Sequence, residues 1–499
     1  MLFLYRLDKM VFSSSLFLFI FLPIVVFFYY LPFIKSRSFK NTILLFCSLF
    51  FYAWGEPKFV FLMILSIILN YWFGKKINDF NDDENHTKCK VFLFFSITWN
   101  VLLLFVFKYL SFFSNIFVSL IGNNDIPVLE IRLPIGISFF TFQIMSYIFD
   151  VYYKKVPVQR NIFSLALYVS FFPQLIAGPI VRYETIASEI QDRKETAENI
   201  TNGIKRFILG LSKKVLLANY LAVIADLIFD GDFNSLINFN CLNAWIGAIA
   251  YTLQIYFDFS GYSDMAIGLG LIFGFHFEEN FNHPYIASSI KDFWRRWHIS
   301  LSSWFRDYVY IPLGGNRCKK SRAFFNMFIV WLLTGIWHGA AFTFWLWGIY
   351  YFVLLVIEKT FNVDECKNIF VRIIMHISTM VFVIIGWVLF RSDNIANAFI
   401  FIKKMFSFNE LSNVSLFDNY YIKNGGIILL LGIVFVFPVI SHLKKLNHFV
   451  SSKLSGSSLA KPYSSIINVL FSLTILAAFT ASILICIKST YNPFIYFNF

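Results

Sequence analysis

The sequence has few charged residues. Asp, Glu, Lys and Arg make up 14% of its 499 residues, against roughly 25% in a soluble domain. Hydrophobic residues make up 58%, and phenylalanine alone occurs 66 times. Because apolar runs recur along the whole length, the composition excludes a soluble domain with a single anchor and predicts one integral-membrane domain.

The sequence also lacks the signatures of several enzyme classes. It contains no P-loop, no GxSxG and no HExxH, so phosphoryl transfer, serine hydrolysis and zinc proteolysis lose their usual motifs. Its six cysteines are scattered without a CxxC pair, which favours free thiols over a zinc site or a disulfide framework. His276 and His283 flank two glutamates at a spacing that matches no standard metal motif. We therefore predict neither a metal site nor a bound cofactor.

The net charge of +13 comes from lysines and arginines that collect in short loops between apolar runs. No nucleic-acid-binding motif accompanies them, so the positive-inside bias of membrane proteins accounts for the charge. Lys35, Arg37 and Lys40 follow the first apolar run and predict that this loop faces the cytoplasm. That run lacks a small-residue cleavage site, so we predict an uncleaved spanning helix.

The apolar runs predict an all-α polytopic fold, since a helix needs about 20 apolar residues to cross a bilayer. Predicted segments cover residues 16–33, 42–54, 59–73, 91–107, 110–121, 207–229, 242–275, 324–357, 369–390, 425–440 and 466–487. We expect polar residues 78–90 to form a loop and residues 182–206 to form a surface helix. About a dozen transmembrane and re-entrant helices result. No repeat of fixed period supports an inverted-repeat transporter.

Helix-breaking residues interrupt the apolar pattern between residues 133 and 180. They are Pro134, Gly136, Pro157, Pro173, Gly178 and Pro179. The same region contains Gln143, Asp150 and Gln174. Free backbone groups at membrane depth are tolerated only where protein or water covers them, so this region is predicted to line a cavity.

His338 is a candidate catalytic residue because it lies inside the apolar run 328–347. Ionisable residues within membrane segments usually mark a pathway or a site, and a neutral imidazole can accept a proton near pH 7. Gly335, Gly339 and Ala340 surround it with little bulk, so a substrate could approach closely. The alternative is a packing histidine that is hydrogen-bonded to a neighbouring helix.

His298 is the second candidate and follows a run of aromatic and basic residues. If residues 294–298 form more than one helical turn, Trp294 and His298 share a face. An interfacial helix with snorkelling arginines would explain this run equally well. Eight basic and only two acidic residues fall between Lys291 and Arg322. The excess could attract the phosphates of an anionic acyl donor such as coenzyme A, or it could reflect positive-inside charge.

Asp258 and Asp264 lie in a long apolar segment. We expect a buried ion pair with one of the arginines of the 291–322 region. Orientation of a catalytic histidine is the alternative.

Several stretches together resemble the membrane-bound O-acyltransferase family, in particular its bacterial branch of alginate O-acetylation and teichoic acid D-alanyl transfer proteins. They are residues 171–180, 258–264, 293–302, 308–317 and 337–340. The resemblance covers roughly residues 10–400 and is weak beyond, which suggests a core over 10–400 and C-terminal membrane helices over 401–499. Residues 11–14 resemble the usual start of that branch, so Met10 is a candidate start of translation beside Met1, and residues 1–9 would then be an extension.

The resemblance implies helices around a central tunnel and transfer of an acyl group from a cytoplasmic donor to an acceptor outside. His338 matches the family's catalytic histidine. His298 matches its second polar position, which is Asn in many eukaryotic members. The acyl donor is expected to be acetyl-CoA. Residues expected to hold it are Lys291, Trp294, Arg295, Arg296, Trp297 and Arg306.

The resemblance also implies partners and a location. We expect a polysaccharide acceptor such as an alginate-like polymer or peptidoglycan, a periplasmic SGNH-hydrolase-like acetyltransferase as partner, and the bacterial inner membrane as location. D-alanyl transfer to teichoic acid is the first alternative. A non-catalytic transporter and an enzyme that uses long-chain acyl donors are more distant ones.

Overall fold

A computed structural model describes residues 10–122, 127–230, 240–361, 368–408, 420–454, 460–488 and 491–493. All regular elements in these ranges are helices, and none is a strand. The predicted all-α fold is confirmed. The expected extension before Met10 and Cys366 lie outside the described residues.

The first half of the described chain contains ten helices. In chain order they are α1 (Phe17–Tyr29), α2 (Arg37–Gly55), α3 (Phe59–Asp82), α4 (His86–Ile121), α5 (Ile137–Tyr152), α6 (Ile162–Ser170), α7 (Phe172–Leu175), α8 (Tyr183–Gln191), α9 (Ala197–Phe229) and α10 (Cys241–Ile272).

The second half contains both short and long helices. They are α11 (Ile290–Arg296), α12 (Ile299–Phe305), α13 (Lys320–His338), α14 (Phe342–Phe361), α15 (Ile369–Arg391), α16 (Ile395–Met405), α17 (Tyr420–Val436), α18 (Val439–Leu454) and α19 (Ala460–Lys488).

Six of the described helices are long and apolar enough to cross a membrane, and a seventh span is possible if α17 and α18, which meet at a bend of 57°, are one. The protein is therefore a multi-pass membrane protein. Some apolar helices are instead enclosed by protein: α5 is buried along nearly its whole length, and α10 along most of its 32 residues. Apolar composition alone does not separate a buried helix from a spanning one, because protein and lipid are both apolar surroundings.

Two predicted boundaries in the first half are wrong. Residues 78–90 are mostly helical, because α3 continues to Asp82 and α4 begins at His86. The two segments predicted at 91–107 and 110–121 form the single helix α4, which has a π-helical turn at Phe105–Tyr109. Lys108 lies between the two predicted segments. Instead it is accommodated inside the helix by that wider turn.

The predicted segment 324–357 is instead a helical hairpin. α13 ends at His338, and α14 begins at Phe342 and packs back along α13. His338 therefore lies at the tip of a hairpin and not in the middle of a spanning helix. Gly339 has an extended backbone, and this ends the helix directly after the histidine.

Glycines bring α9 and α10 into backbone contact. A Cβ atom on Gly268 would lie 2.6 Å from the carbonyl oxygen of Gly203, and one on Gly261 would lie 2.8 Å from that of Gly210. Small residues at such positions are the usual means by which membrane helices approach closely. This crossing also brings the lysines of α9 next to the aspartates of α10.

Candidate active site

The hairpin that carries His338 is held together by glycine packing. A Cβ atom on Gly335 would lie 2.5 Å from the carbonyl oxygen of Phe344, and one on Gly348 would collide with the carbonyl oxygen of Trp331. Both contacts are with backbone, which cannot move aside cheaply. The spacing of α13 and α14, and with it the position of His338, depends on these two glycines.

His338 is 6% exposed, and its ring is surrounded by aromatic side chains. Ring centroids of Trp337, Trp347 and Phe390 lie 4.9, 5.1 and 5.1 Å from its own, all edge-on. The Nδ1 atom is buried and has no hydrogen-bond partner among the described residues. A packing histidine in a membrane protein is expected to make such a bond, because an unsatisfied buried polar atom is costly. The free nitrogen favours a functional role.

Two residues of the π-helical turn in α4 satisfy the last carbonyl groups of α13. The Tyr109 hydroxyl donates to the Ile336 carbonyl oxygen, and the Lys108 Nζ atom donates to that of Trp337. These carbonyls have no partner within their own helix. The π-turn thus fixes the end of α13 one residue before His338.

A pocket with about 450 Å³ of empty space, its open mouth included, is lined in part by His338. Its walls are residues 133–139 together with Lys108, Ile176, Trp337 and His338. The glycine- and proline-rich region thus lines a cavity, as predicted from its helix breakers. Gln143, Asp150 and Gln174 do not line this pocket and are fully buried.

His298 lies at a break between two short helices. α11 ends at Arg296, Trp297 is extended, and His298 has the left-handed backbone angles φ 44° and ψ 54°. The predicted continuous turn over residues 294–298 is therefore wrong, and Trp294 and His298 do not share a helical face. Left-handed angles are unfavourable for a residue with a side chain. Such strained positions cluster at functional sites.

The hydrogen bonds around His298 identify its free nitrogen. The Asn280 Oδ1 atom accepts from the Ser300 backbone N–H at 3.2 Å and lies 3.2 Å from His298 Nδ1. Since a backbone N–H can only donate, the Asn280 atom facing it is the oxygen, and Nδ1 of His298 must carry a hydrogen. Nε2 then carries the lone pair. It is buried and has no hydrogen-bond partner within the described ranges.

One tryptophan joins the two histidines. The ring centroid of Trp337 lies 5.9 Å from that of His298 and 4.9 Å from that of His338. Residues 40 positions apart in the sequence therefore lie on one aromatic side chain, each with an unpaired ring nitrogen. This arrangement can accept a proton at either imidazole and excludes bulk water from both.

The residues predicted to hold an acyl donor occupy two environments. Trp294 and Trp297 are buried in an aromatic cluster, where Trp294 packs against Tyr351 at 4.9 Å and Trp297 against Trp387 at 4.8 Å. Packing in this cluster is a sufficient reason for tryptophan at both positions. Lys291 and Arg295 are exposed. Their role in donor binding stays a prediction.

Arg296 and Arg306 already have carboxylate partners. Arg296 Nε lies 2.9 Å from Asp292, and Arg306 Nε lies 2.6 Å from Asp307. Arg182 also bonds Asp307, at 2.7 Å. Burial opposes ionisation of Asp307, but hydrogen bonds from Arg306 and Arg182 outweigh it and hold the pKa of this carboxyl below its ordinary value. To bind a donor phosphate, Arg296 and Arg306 would each have to contact the phosphate and a carboxylate at the same time.

Asp258 and Asp264 form buried ion pairs, as expected, but with other partners. Asp258 lies 2.6 Å from Lys214, and Asp264 lies 2.6 Å from Lys213 and 2.7 Å from Arg206. The predicted arginines of the 291–322 region do not take part. The partners come from α9 because the glycine crossing places that helix directly on α10.

Sequence reasoning missed Lys108, Asn280 and Ser300. A signal existed for Lys108, since it is a lone cation in an apolar run and such residues mark functional sites. It falls in the gap between the predicted segments 91–107 and 110–121 and was assigned no role. Asn280 and Ser300 gave no signal, because only the folded chain brings them to His298.

No group of three potential metal ligands occurs in the parts of the chain that the structure describes. His276 pairs with Glu189 at 2.6 Å, and His283 bonds the Val436 carbonyl oxygen at 3.1 Å. The two histidines whose spacing argued against a metal motif thus have separate protein partners.

Replacing Gly348 with alanine should displace the hairpin tip. The added methyl group meets the Trp331 carbonyl oxygen, so α14 must shift away from α13. Overpacking of this kind typically costs about 1–3 kcal/mol, and a 1 Å misplacement of a catalytic group can cost about 100-fold in rate. We expect a Tm decrease and a larger fall in transfer activity. Gly55→Ala is the control, because a Cβ atom there has no neighbour within 4 Å. Unchanged activity in Gly348→Ala would show that the glycine contact does not position His338.

Comparison with known proteins identifies the family of the chain. Residues 98–395 match the model of the membrane-bound O-acyltransferase family. A probable alginate O-acetylase of Pseudomonas aeruginosa is 42% identical over 80% of this chain and 75% of its own. A peptidoglycan O-acetyltransferase of Helicobacter pylori is 37% identical over 82% of each chain. A teichoic acid D-alanyltransferase of Bacillus subtilis is 30% identical over 51% of this chain and 68% of its own.

Proposed function

Because the chain belongs to the membrane-bound O-acyltransferase family, we propose that it transfers an acetyl group from acetyl-CoA towards hydroxyl groups of a cell-surface polysaccharide. The observation that carries the proposal is His338, which has a free ring nitrogen at the end of an open pocket. The acetyl group is favoured because the alginate and peptidoglycan relatives are more similar than the D-alanyl one.

The position of the loop that lines the pocket supports an acceptor that approaches from outside. α2 runs from the cationic residues Arg37 and Lys40 to Gly55, and the Glu56 that follows pairs with Arg132 at 3.0 Å. Arg132 directly precedes the loop that lines the pocket. If the cationic loop faces the cytoplasm, the loop that lines the pocket lies at the other end of α2, towards the external face.

His338 serves as the general base in this proposal. A hydroxyl is a weak nucleophile until a base removes its proton, whereas a thioester already has a good leaving group. The hydroxyl oxygen forms a bond to the acyl carbon, its proton passes to His338, and the thiolate leaves and takes up a proton. The buried, aromatic surroundings of the ring exclude the water that would otherwise hydrolyse the thioester.

His298 is the second base or binding group. Its Nδ1 hydrogen is held by Asn280, so Nε2 is available as an acceptor. That nitrogen can orient the thioester of the acyl donor or relay a proton to the departing thiolate. The exposed Lys291 and Arg295 offer positive charge for donor phosphates, and the other predicted donor residues lie near them in the sequence.

A polysaccharide acceptor implies further protein. We expect the bacterial inner membrane as location and a periplasmic SGNH-hydrolase-like acetyltransferase as the partner that receives the acetyl group. The pocket that His338 lines supports this arrangement, since a hydroxyl group on a partner's side chain is small enough to approach the imidazole.

Inverted membrane vesicles test the proposal. Vesicles that contain the protein would receive labelled acetyl-CoA outside, with the partner protein and candidate polymers in the lumen. Label on luminal material supports acetyl transfer across the membrane. Label that appears only from a D-alanyl carrier protein would replace the acetyl proposal with D-alanyl transfer. Absence of label from both donors would contradict acyl transfer by this chain.

A further inference from the structure

Lys108 is an intramembrane cation to which the proposed reaction assigns no role. It lies within the spanning helix α4, in the π-helical turn Phe105–Tyr109. π-turns inside α-helices are frequent at functional sites, and charges at membrane depth are costly unless they serve a purpose. Among the described residues, no carboxylate lies within ion-pair distance of its ammonium.

The contacts of Lys108 place its ammonium in the pocket beside His338. The Nζ atom donates to the Trp337 carbonyl oxygen, lies 3.5 Å from Ser138 Oγ, and lies 5.6 Å from the centre of the Trp337 ring. Lys108, Ser138 and His338 line the same pocket. An ammonium has three N–H donors, so these two hydrogen-bond contacts leave one donor for a ligand.

Capping of α13 is the structural alternative, and it does not require a charge. Tyr109 caps the preceding carbonyl of the same helix with a neutral hydroxyl. A neutral donor would therefore satisfy Trp337 equally well, without the cost of an ammonium inside the membrane. Capping therefore accounts for a hydrogen-bond donor at Lys108 but not for its positive charge.

We propose that Lys108 binds the carbonyl oxygen of the transferred acyl group and stabilises the negative charge that develops on it. When the acceptor hydroxyl oxygen bonds to the acyl carbon, the carbonyl π electrons move to the oxygen and His338 takes the hydroxyl proton. Collapse re-forms the C=O bond and breaks the C–S bond, and the thiolate leaves with a proton. Donors placed in advance where charge develops are a major source of rate enhancement.

The electrostatic interaction between Lys108 and His338 supports this assignment. Lys108 lies within electrostatic range of the His338 imidazole, so an imidazolium formed there faces a like charge. An oxyanion between the two cations removes this repulsion at the moment when His338 becomes charged. The assignment rests on the proposed acyl transfer at His338.

Lys108→Gln tests the role of the charge, because the amide still donates to the Trp337 carbonyl. In purified protein in nanodiscs, we expect kcat to fall about 100-fold, with KM for the donor and Tm close to wild type. Tyr109→Phe is the matched control. It removes one cap of α13 but no charge, and should lower Tm while kcat changes little.

Replacing the donor carbonyl oxygen with sulfur gives a second readout. A dithioester accepts hydrogen bonds poorly, so wild type should lose much of its rate with it, whereas Lys108→Gln should lose little more. If Lys108→Gln does not fold, Lys108→Arg keeps the charge and should keep the dithioester penalty. Equal dithioester penalties in wild type and Lys108→Gln would overturn the proposal. So would parallel losses of Tm and kcat in Lys108→Gln and Tyr109→Phe.

His338→Ala, measured alongside, separates the two levels of inference. If His338→Ala is inactive and Lys108→Gln is fully active, only the role of Lys108 fails. If transfer by wild type does not depend on His338, the proposed function fails with it.

Discussion

Replacing His338 with alanine is expected to abolish acyl transfer while the protein remains folded. General-base catalysis by a positioned histidine typically contributes about 10²–10⁴-fold, so the residual rate should be close to background. The ring makes no hydrogen bond to the described protein, so its loss breaks no polar contact. Transfer of labelled acetyl groups and thermal unfolding, measured on the same purified protein, check both parts.

His376→Ala is the matched control for this prediction. His376 is also a histidine of a spanning helix, but its Nδ1 donates to the Ala287 carbonyl oxygen at 2.8 Å. We expect the opposite pattern, a lower Tm with a nearly normal rate. If His338→Ala instead kept wild-type transfer, or lost activity only in proportion to folded protein, its role as the base would be refuted.

Asp258→Leu is expected to destabilise the protein severely. Asp258 and Lys214 are 2.6 Å apart, and both side chains are 2% exposed. Removal of one partner leaves a buried ammonium whose principal counter-charge is gone, and breaking a buried pair costs about 3–5 kcal/mol. We expect little folded protein in detergent, as measured by size-exclusion chromatography and thermal unfolding.

The double variant Asp258→Leu with Lys214→Met should recover most of the lost stability. Replacing both members of a buried pair with apolar side chains of similar size is often neutral or stabilising. The recovered protein should also transfer acyl groups, because this ion pair joins α9 to α10, and neither helix carries His298 or His338. A folded but inactive double variant would instead support the alternative that Asp258 helps to orient a catalytic histidine.

Some features follow from the sequence because they depend only on local composition. Long apolar runs determine a multi-pass helical protein, and α15 and α19 begin and end close to the predicted residues. His338 was recognisable because a histidine in an apolar run is rare enough to indicate a role by itself. The helix breakers before Ser138 likewise predicted a cavity wall without any knowledge of the fold.

Other predictions failed because burial in protein and burial in lipid look alike in a sequence. Residues 324–357 are apolar throughout, so the turn after His338 was not visible. Lys108 fell between two predicted segments, whereas in the structure it lies within one helix, where its ammonium donates to a carbonyl oxygen of a helix distant in sequence. The partner of Asp258 depends on which helix packs against the glycines of α10, and this is a property of the folded chain.

The sequence by itself thus determined the fold class, the family and the two histidines, because these depend on composition and on motifs of adjacent residues. The tertiary structure decided what surrounds each imidazole. It placed His338 at a hairpin tip, gave His298 its left-handed backbone, and brought Asn280, Trp337 and Lys108 to them. The physical reason is that hydrogen bonding and charge act over a few ångströms in space, while these residues are separated by up to 230 positions in the chain.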